Sequence, residues 1–210
     1  MADVEDYERL PFPPGESPFH VKGNAYRGHV EYTDKHVPGG MKAAIERIQD
    51  EKLRAFFAQP FLASSWYDIF PLVAIGFVCA RLAGRSFPDF LRARARQQAE
   101  LDVGGVYRFL LSLASPETVV TKLPAVVAQY FDFGTVEVRR LGPRLYTAIS
   151  HGWPRPLAAW YAPIQETYAL YALESNGAKN PRAKLYPFAP EATERGLEVG
   201  AFRVELSWDD

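Results

Sequence analysis

Four histidines and a single cysteine carry most of the reactive chemistry in this chain. His29 and His36 are seven residues apart, which on a helix places them on one face two turns apart. That span is awkward for joint metal ligation, and no His-Glu-x-x-His run or Cys/His cluster accompanies them. No metal site is expected. Cys79 lies in Phe77-Val78-Cys79-Ala80 with no cation or histidine beside it in sequence, the setting of a thiol that packs as a small hydrophobe. His151 closes a strand-like stretch before Gly152-Trp153-Pro154. A histidine at a strand end can act as a general base, or simply hydrogen-bond to backbone. With Tyr146 and Glu166 it forms the set an enzyme would have to use here. The chain has no Gly-x-Ser-x-Gly elbow and no paired carboxylates.

Pro38-Gly39-Gly40-Met41-Lys42 sets glycines before a helix, where an anion can bind, but it lacks the spacing of a phosphate loop and reads as a helix–helix turn. Arg92, Arg94 and Arg96 cannot all point one way on a helix, and a solvated face is expected for them. Aromatic residues are the one surplus, at 14% of the chain. Trp66, Tyr67, Phe70 and Phe77 belong to the most apolar stretch, and Tyr107 and Tyr130 to helices expected to flank it. Rings of this kind build cores, while tyrosine hydroxyls need partners and gather at pocket mouths and interfaces. These six are the candidate ligand-binding residues.

The elements that must position them follow from size and pattern. At 210 residues and 48% hydrophobic, the chain is ample for one buried core. Its net charge of −1 gives no electrostatic reason to expect nucleic acid or an anionic membrane as partner. One cysteine precludes an internal disulfide framework and suits the cytoplasm. MADVEDYERL has no basic region followed by an apolar core, so no signal peptide is read there. Phe61 to Ala80 approaches membrane-spanning length, but Asp68 and Pro71 interrupt it, and a buried core helix is expected instead.

Residues 1–22 read as an extended, proline-rich arm that Phe12 and Phe19 can pin to the body. A single α+β domain is expected over 23–210, helical over 23–131 with a sheet unit over 132–210. Helical spacing runs from Asn24 to about Val37, and then from Met41 to Phe56 with a break near Asp50. Asp68 is placed as an N-cap ahead of Pro71, Ser86 opens a further helix, and Ser115-Pro116-Glu117 starts another. At Asp132-Phe133-Gly134 the period changes. Thr135–Leu141 and Arg144–Ser150 are β-like, a helix follows around Trp160–Tyr171, and Lys184–Phe188 is a short strand. In the last strand Phe202, Val204, Leu206 and Trp208 alternate with polar residues. Helices followed by a mainly antiparallel β-β-α-β-β unit make the fold class α+β.

Two resemblances attach to these residues. Val21-Lys22-Gly23, Ala63-Ser64-Ser65-Trp66-Tyr67, Val106-Tyr107-Arg108 and Ser115-Pro116-Glu117 resemble a myxobacterial paralogous family of about this length, which implies no particular activity. The order of elements resembles the fold shared by haem–nitric-oxide-binding domains, 4-vinyl-reductase domains and Bet3-type tethering subunits. That likeness implies small or acyl ligands, or assembly as a protein subunit. The haem-binding branch depends on a histidine in the helix before the sheet and on a Tyr-x-Ser-x-Arg motif. Ser115 to Phe131 has no histidine and the motif is absent, so no haem or other cofactor is expected.

The leading expectation is a non-catalytic module that binds a small apolar ligand in a sensory or regulatory role. The alternative is a protein–protein adaptor or structural homo-oligomer such as a homodimer, and the third is an enzyme using His151, Tyr146 and Glu166. No nucleic-acid or membrane partner is expected.

Overall fold

The computed structural model describes residues 9–104 and 115–210, and the chain packs as two compact units. The first runs to Arg94 and includes Tyr130–Asp132; the second comprises Ala95–Gln129 and Phe133–Asp210.

The first unit contains β1 (His20–Lys22), α1 (Gly23–His36), α2 (Gly40–Glu46), α3 (Glu51–Phe56), β2 (Trp66–Asp68), α4 (Phe70–Leu82) and the first turns of α5 (Phe87–Gly104). The proline-rich segment lies on the body as its aromatics suggest: Phe12 and Phe19 meet the ring of Phe70 at centroid separations of 6.0 and 6.3 Å. The break near Asp50 is real, and its cause is a cap. The Asp50 carboxylate accepts the N–H of Leu53 at 2.8 Å and starts α3.

Trp66 and Tyr67 do not begin the apolar helix. They form β2, antiparallel to β1, with Val21 opposite Tyr67 and Lys22 opposite Trp66. Aromatic residues suit a pleated strand, and Asp68 then ends it. Its Oδ1 accepts the N–H of Phe70 at 2.9 Å, and its Oδ2 accepts that of Gly15 at 3.0 Å. Pro71 sits in the first turn of α4, where a missing N–H costs nothing. Leu72, Ile75 and Cys79 are fully buried along that helix, and no single helix among the described residues is long and apolar enough to cross a membrane.

The arginine series needs correction at one member. Arg94 is buried, not solvated, and its Nη2 donates to the carbonyl of Ala25 at 2.8 Å. Burying a guanidinium demands such a partner, and the partner is 69 residues away in sequence.

The second unit contains α6 (Pro116–Tyr130, up to Gln129), β3 (Thr135–Gly142), β4 (Leu145–Pro154), α7 (Ala158–Ser175), β5 (Lys179–Leu185), β6 (Ala189–Glu194) and β7 (Leu197–Asp209). Its sheet is antiparallel throughout, in the order β3-β4-β7-β5, with β6 paired to the first part of β7. The strand β6, Ala-Pro-Glu-Ala-Thr-Glu, extends the expected order to β-β-α-β-β-β; it is exposed along its whole length and has no apolar alternation. On the covered face Val120 of α6 and Ala169 and Leu173 of α7 pack against Tyr146, Ala148, Val204, Leu206 and Trp208. The other face carries charge: Arg203 pairs with Glu205, and Arg139 with Glu137. The alternation in β7 is therefore the division between core and water.

Candidate functional site

α1 presents one stripe of charge to solvent, with Arg27, Glu31 and Lys35 each about one turn apart and Asp34 next to Lys35. Below it, α2 and the segment 57–61 that follows α3 leave a cleft of about 800 Å³. Its floor is apolar, made by Val30, Met41, Ile45, Phe57 and Phe61, and its rim is that charged stripe. The walls are fixed to one another. Asp34 Oδ1 accepts the N–H of Met41 at 2.7 Å, tying α1 to the start of α2. Gly40 makes this possible: its φ is +62°, and a Cβ there would stand 2.6 Å from Asp34 Oδ1. Phe61 is held from behind, stacked on Tyr26 at 4.2 Å and met by Tyr67 at 5.0 Å.

Of the six candidate ligand-binding aromatics, five fall among the described residues; Tyr107 lies outside them. Tyr67 backs the cleft through Phe61, its hydroxyl donating to the carbonyl of Pro60 and accepting the N–H of Leu62 at 2.8 Å. Trp66, its neighbour, is on the surface with the Lys22 ammonium 3.8 Å above its ring. Phe70 is enclosed by Phe12 and Phe19, and Phe77 stacks on Phe87. Tyr130 is buried beside Phe131. Among the described residues Tyr67 thus lies with Tyr26 and Phe61, Phe70 with Phe12 and Phe19, and Trp66 on the surface. The cleft residues escaped the sequence reading because Arg27, Glu31 and Lys35 look like any solvated helix face. Only the folding of α2 and the 57–61 segment against α1 completes their apolar floor.

The histidines are each engaged. His29 is buried with Nε2 3.5 Å from Cys79 Sγ. Burial, and then the charge of Arg94, hold its imidazole well below its ordinary range. His20 Nδ1 lies 2.6 Å from Asp132 Oδ2, and its backbone N–H donates to Asp132 Oδ1 at 2.8 Å. His36 is exposed and leans on Tyr32 at 4.6 Å. His151 Nδ1 lies 2.5 Å from Glu191 Oε1, and Glu191 Oε2 accepts the N–H of Gly152 at 3.1 Å. Tyr146 belongs to the covered face of the sheet, stacked on Trp208 at 5.7 Å. The pairing of His151 with Thr135 and of Tyr146 with Arg140 sets these two on opposite faces. Tyr146 and His151 are therefore not brought to one place. Among the described residues no group of three or more His, Cys, Asp or Glu side chains could hold a metal ion.

No family model matches the chain, and no curated protein matches it in sequence. Its architecture does have solved counterparts. A Cs H-NOX mutant carrying 4-cyano-L-phenylalanine aligns at a TM-score of 0.65 with 8% identity, over 90% of this chain and 97% of that one. An oxygen-binding H-NOX domain related to soluble guanylate cyclases aligns at 0.62, again with 8% identity, over 90% and 95%. An Fe(II) unliganded H-NOX protein mutant from K. algicida aligns at 0.59 with 12% identity, over 90% and 97%. Identities this low show the shared fold alone: the chain has an H-NOX-like α+β fold.

Proposed function

We propose that this chain is a non-catalytic sensory or regulatory module, acting in the cytoplasm, that binds a small organic ligand in place of a haem. The fold supports the first half of this reading, since the H-NOX domains it resembles include one named as oxygen-binding. The observation that carries the second half is the placing of the histidines. A haem iron needs an axial side chain emerging into a large apolar space. His29 has its ring closed in by Cys79 and Phe90, His20 and His151 are held by carboxylates at the surface, and His36 stands exposed on Tyr32. The helix Pro116–Tyr130 that leads to the sheet has none. None of the four histidines is placed to serve as a haem's axial ligand.

The cleft on α1 has the size and the mixed lining of a small-molecule site. A protein contact is a second reading, favoured by Leu62 and Trp66, four residues apart and 61% and 40% exposed. Native mass spectrometry of the purified chain, with and without added hemin, tests both. An organic adduct on the chain and no stoichiometric Soret band after hemin addition are expected. A tight one-to-one hemin complex overturns the reading, and a bare homodimer moves it to the second.

A further inference from the structure

We propose that the cleft between α1, α2 and the 57–61 segment binds a zwitterionic amphipath, a molecule with an apolar body and a head carrying both an ammonium and a carboxylate. This deepens the sensory reading above and rests on it.

Arg27, Glu31 and Lys35 stand at intervals of four along α1, so each charge is one turn, about 6 Å, from the next. Opposite charges at this spacing ordinarily close into pairs on a helix surface. Here none does: the three make no ion pair or hydrogen bond among the described residues, and they rim a cleft of about 800 Å³. The remaining acid of the stripe, Asp34, accepts the Met41 N–H with one oxygen and keeps its negative charge. With it the rim reads plus, minus, minus, plus above an apolar floor.

That order selects the head group. An anion alone would meet Arg27 or Lys35 but press against Glu31, and a cation alone would do the reverse. A head with both charges satisfies the row, its carboxylate on the Arg27 fork and its ammonium on Glu31. The floor selects the body, since Met41 and Phe57 are buried and Phe61 is held rigid by Tyr26. A wall set in place before binding lowers the ordering cost of binding.

Three probes with one body separate these contributions: biphenylalanine, 3-(biphenyl-4-yl)propionate and 2-(biphenyl-4-yl)ethylamine, titrated calorimetrically at low salt into the whole chain. The zwitterion is expected to bind about tenfold or more tighter than either single-charge analogue, the worth of one charge-assisted contact. Glu31→Gln should remove its advantage over the propionate, and Arg27→Gln with Lys35→Gln its advantage over the amine. All three residues are exposed, and an unchanged thermal melt will confirm that the variants fold. Equal binding of the three probes, or tighter binding of the propionate or the amine, overturns the proposal. So does no binding at all; if an organic adduct still accompanies the purified chain, the ligand class alone has failed, and without one the sensory reading fails too.

Discussion

Inside the first unit, Nε2 of His29 lies 3.5 Å from Sγ of Cys79, and neither residue meets solvent. Thr33 Oγ1 donates to the same sulfur at 3.6 Å, which leaves the thiol hydrogen to be given to the imidazole. A cysteine beside a histidine can be a nucleophile, but only as thiolate and imidazolium. Burial opposes both charges: it pushes the Cys79 thiol up to about 11 and His29 down. The pair is a neutral hydrogen-bonded core contact.

It follows that Cys79 will not react in the folded protein. With 5,5′-dithiobis(2-nitrobenzoate) at pH 8, the native chain should release almost no chromophore over the time in which the denatured chain releases one equivalent. Rapid native labelling would mean that the thiol is exposed or ionised.

His29 also sets a direction for acid sensitivity. Its folded-state pKa is depressed below the unfolded value, so the unfolded chain binds the extra proton and stability rises with pH across that interval. Stability from the neutral imidazole is complete above about pH 6.5 and is lost as pH falls below it. The melting temperature should drop between pH 7.5 and pH 5.5, and His29→Gln, which cannot titrate, should flatten that drop even if it lowers stability at pH 7.5. A melting temperature as pH-dependent in His29→Gln as in the parent would locate the sensitivity elsewhere.

Much of this architecture is written locally. The break near Asp50, the first-turn Pro71 and the period-2 alternation of β7 depend on residues within a few positions of each other, and all three are found in the structure. What could not be read depends on distance. Arg94 is buried because a carbonyl 69 residues away receives it, and His20 is fixed by Asp132, 112 residues on. β6 forms because β7 is long enough to pair with both β5 and β6, not because its own residues favour a strand. The cleft is of the same kind: its charges come from α1, its floor from α1, α2 and the 57–61 segment, and no single segment contains the pattern.

The alternation of β7 gives a paired test. Val204 is 1% exposed between the sheet and α7, whereas Glu205 points from the opposite face and pairs with Arg203. Val204→Asp places an unpaired charge in the core and should cost several kcal/mol, on the order of 3 or more, in urea denaturation. Glu205→Lys loses a half-buried pair and sets a cation beside Arg203 and Lys184, yet it stays on the water-facing side and should cost far less. Equal losses from the two would contradict the register.

The joint between β1 and β2 is held by close backbone contact. The Gly23 N–H donates to the Ser65 carbonyl at 2.9 Å, and the Asn24 N–H to that of Ala63 at 3.1 Å, so the chain after Gly23 lies directly on the 62–65 loop. A Cβ on Gly23 would stand 2.0 Å from the Leu62 carbonyl oxygen and 2.8 Å from the Tyr67 ring. The oxygen is backbone and cannot swing aside, so Gly23→Ala must displace the loop, at a cost of about 2–3 kcal/mol or more. Because that loop continues from Phe61, the same substitution should weaken whatever the cleft binds. Gly84→Ala is the control. Gly84 has a φ of +64° with nothing within 4 Å of an added Cβ, so only the left-handed backbone is penalised, by about 1–2 kcal/mol. Urea melts of the two variants should therefore rank Gly23→Ala clearly below Gly84→Ala, and only the former should change ligand affinity. The reverse order would show that the β1–β2 joint yields more readily than its backbone contacts require.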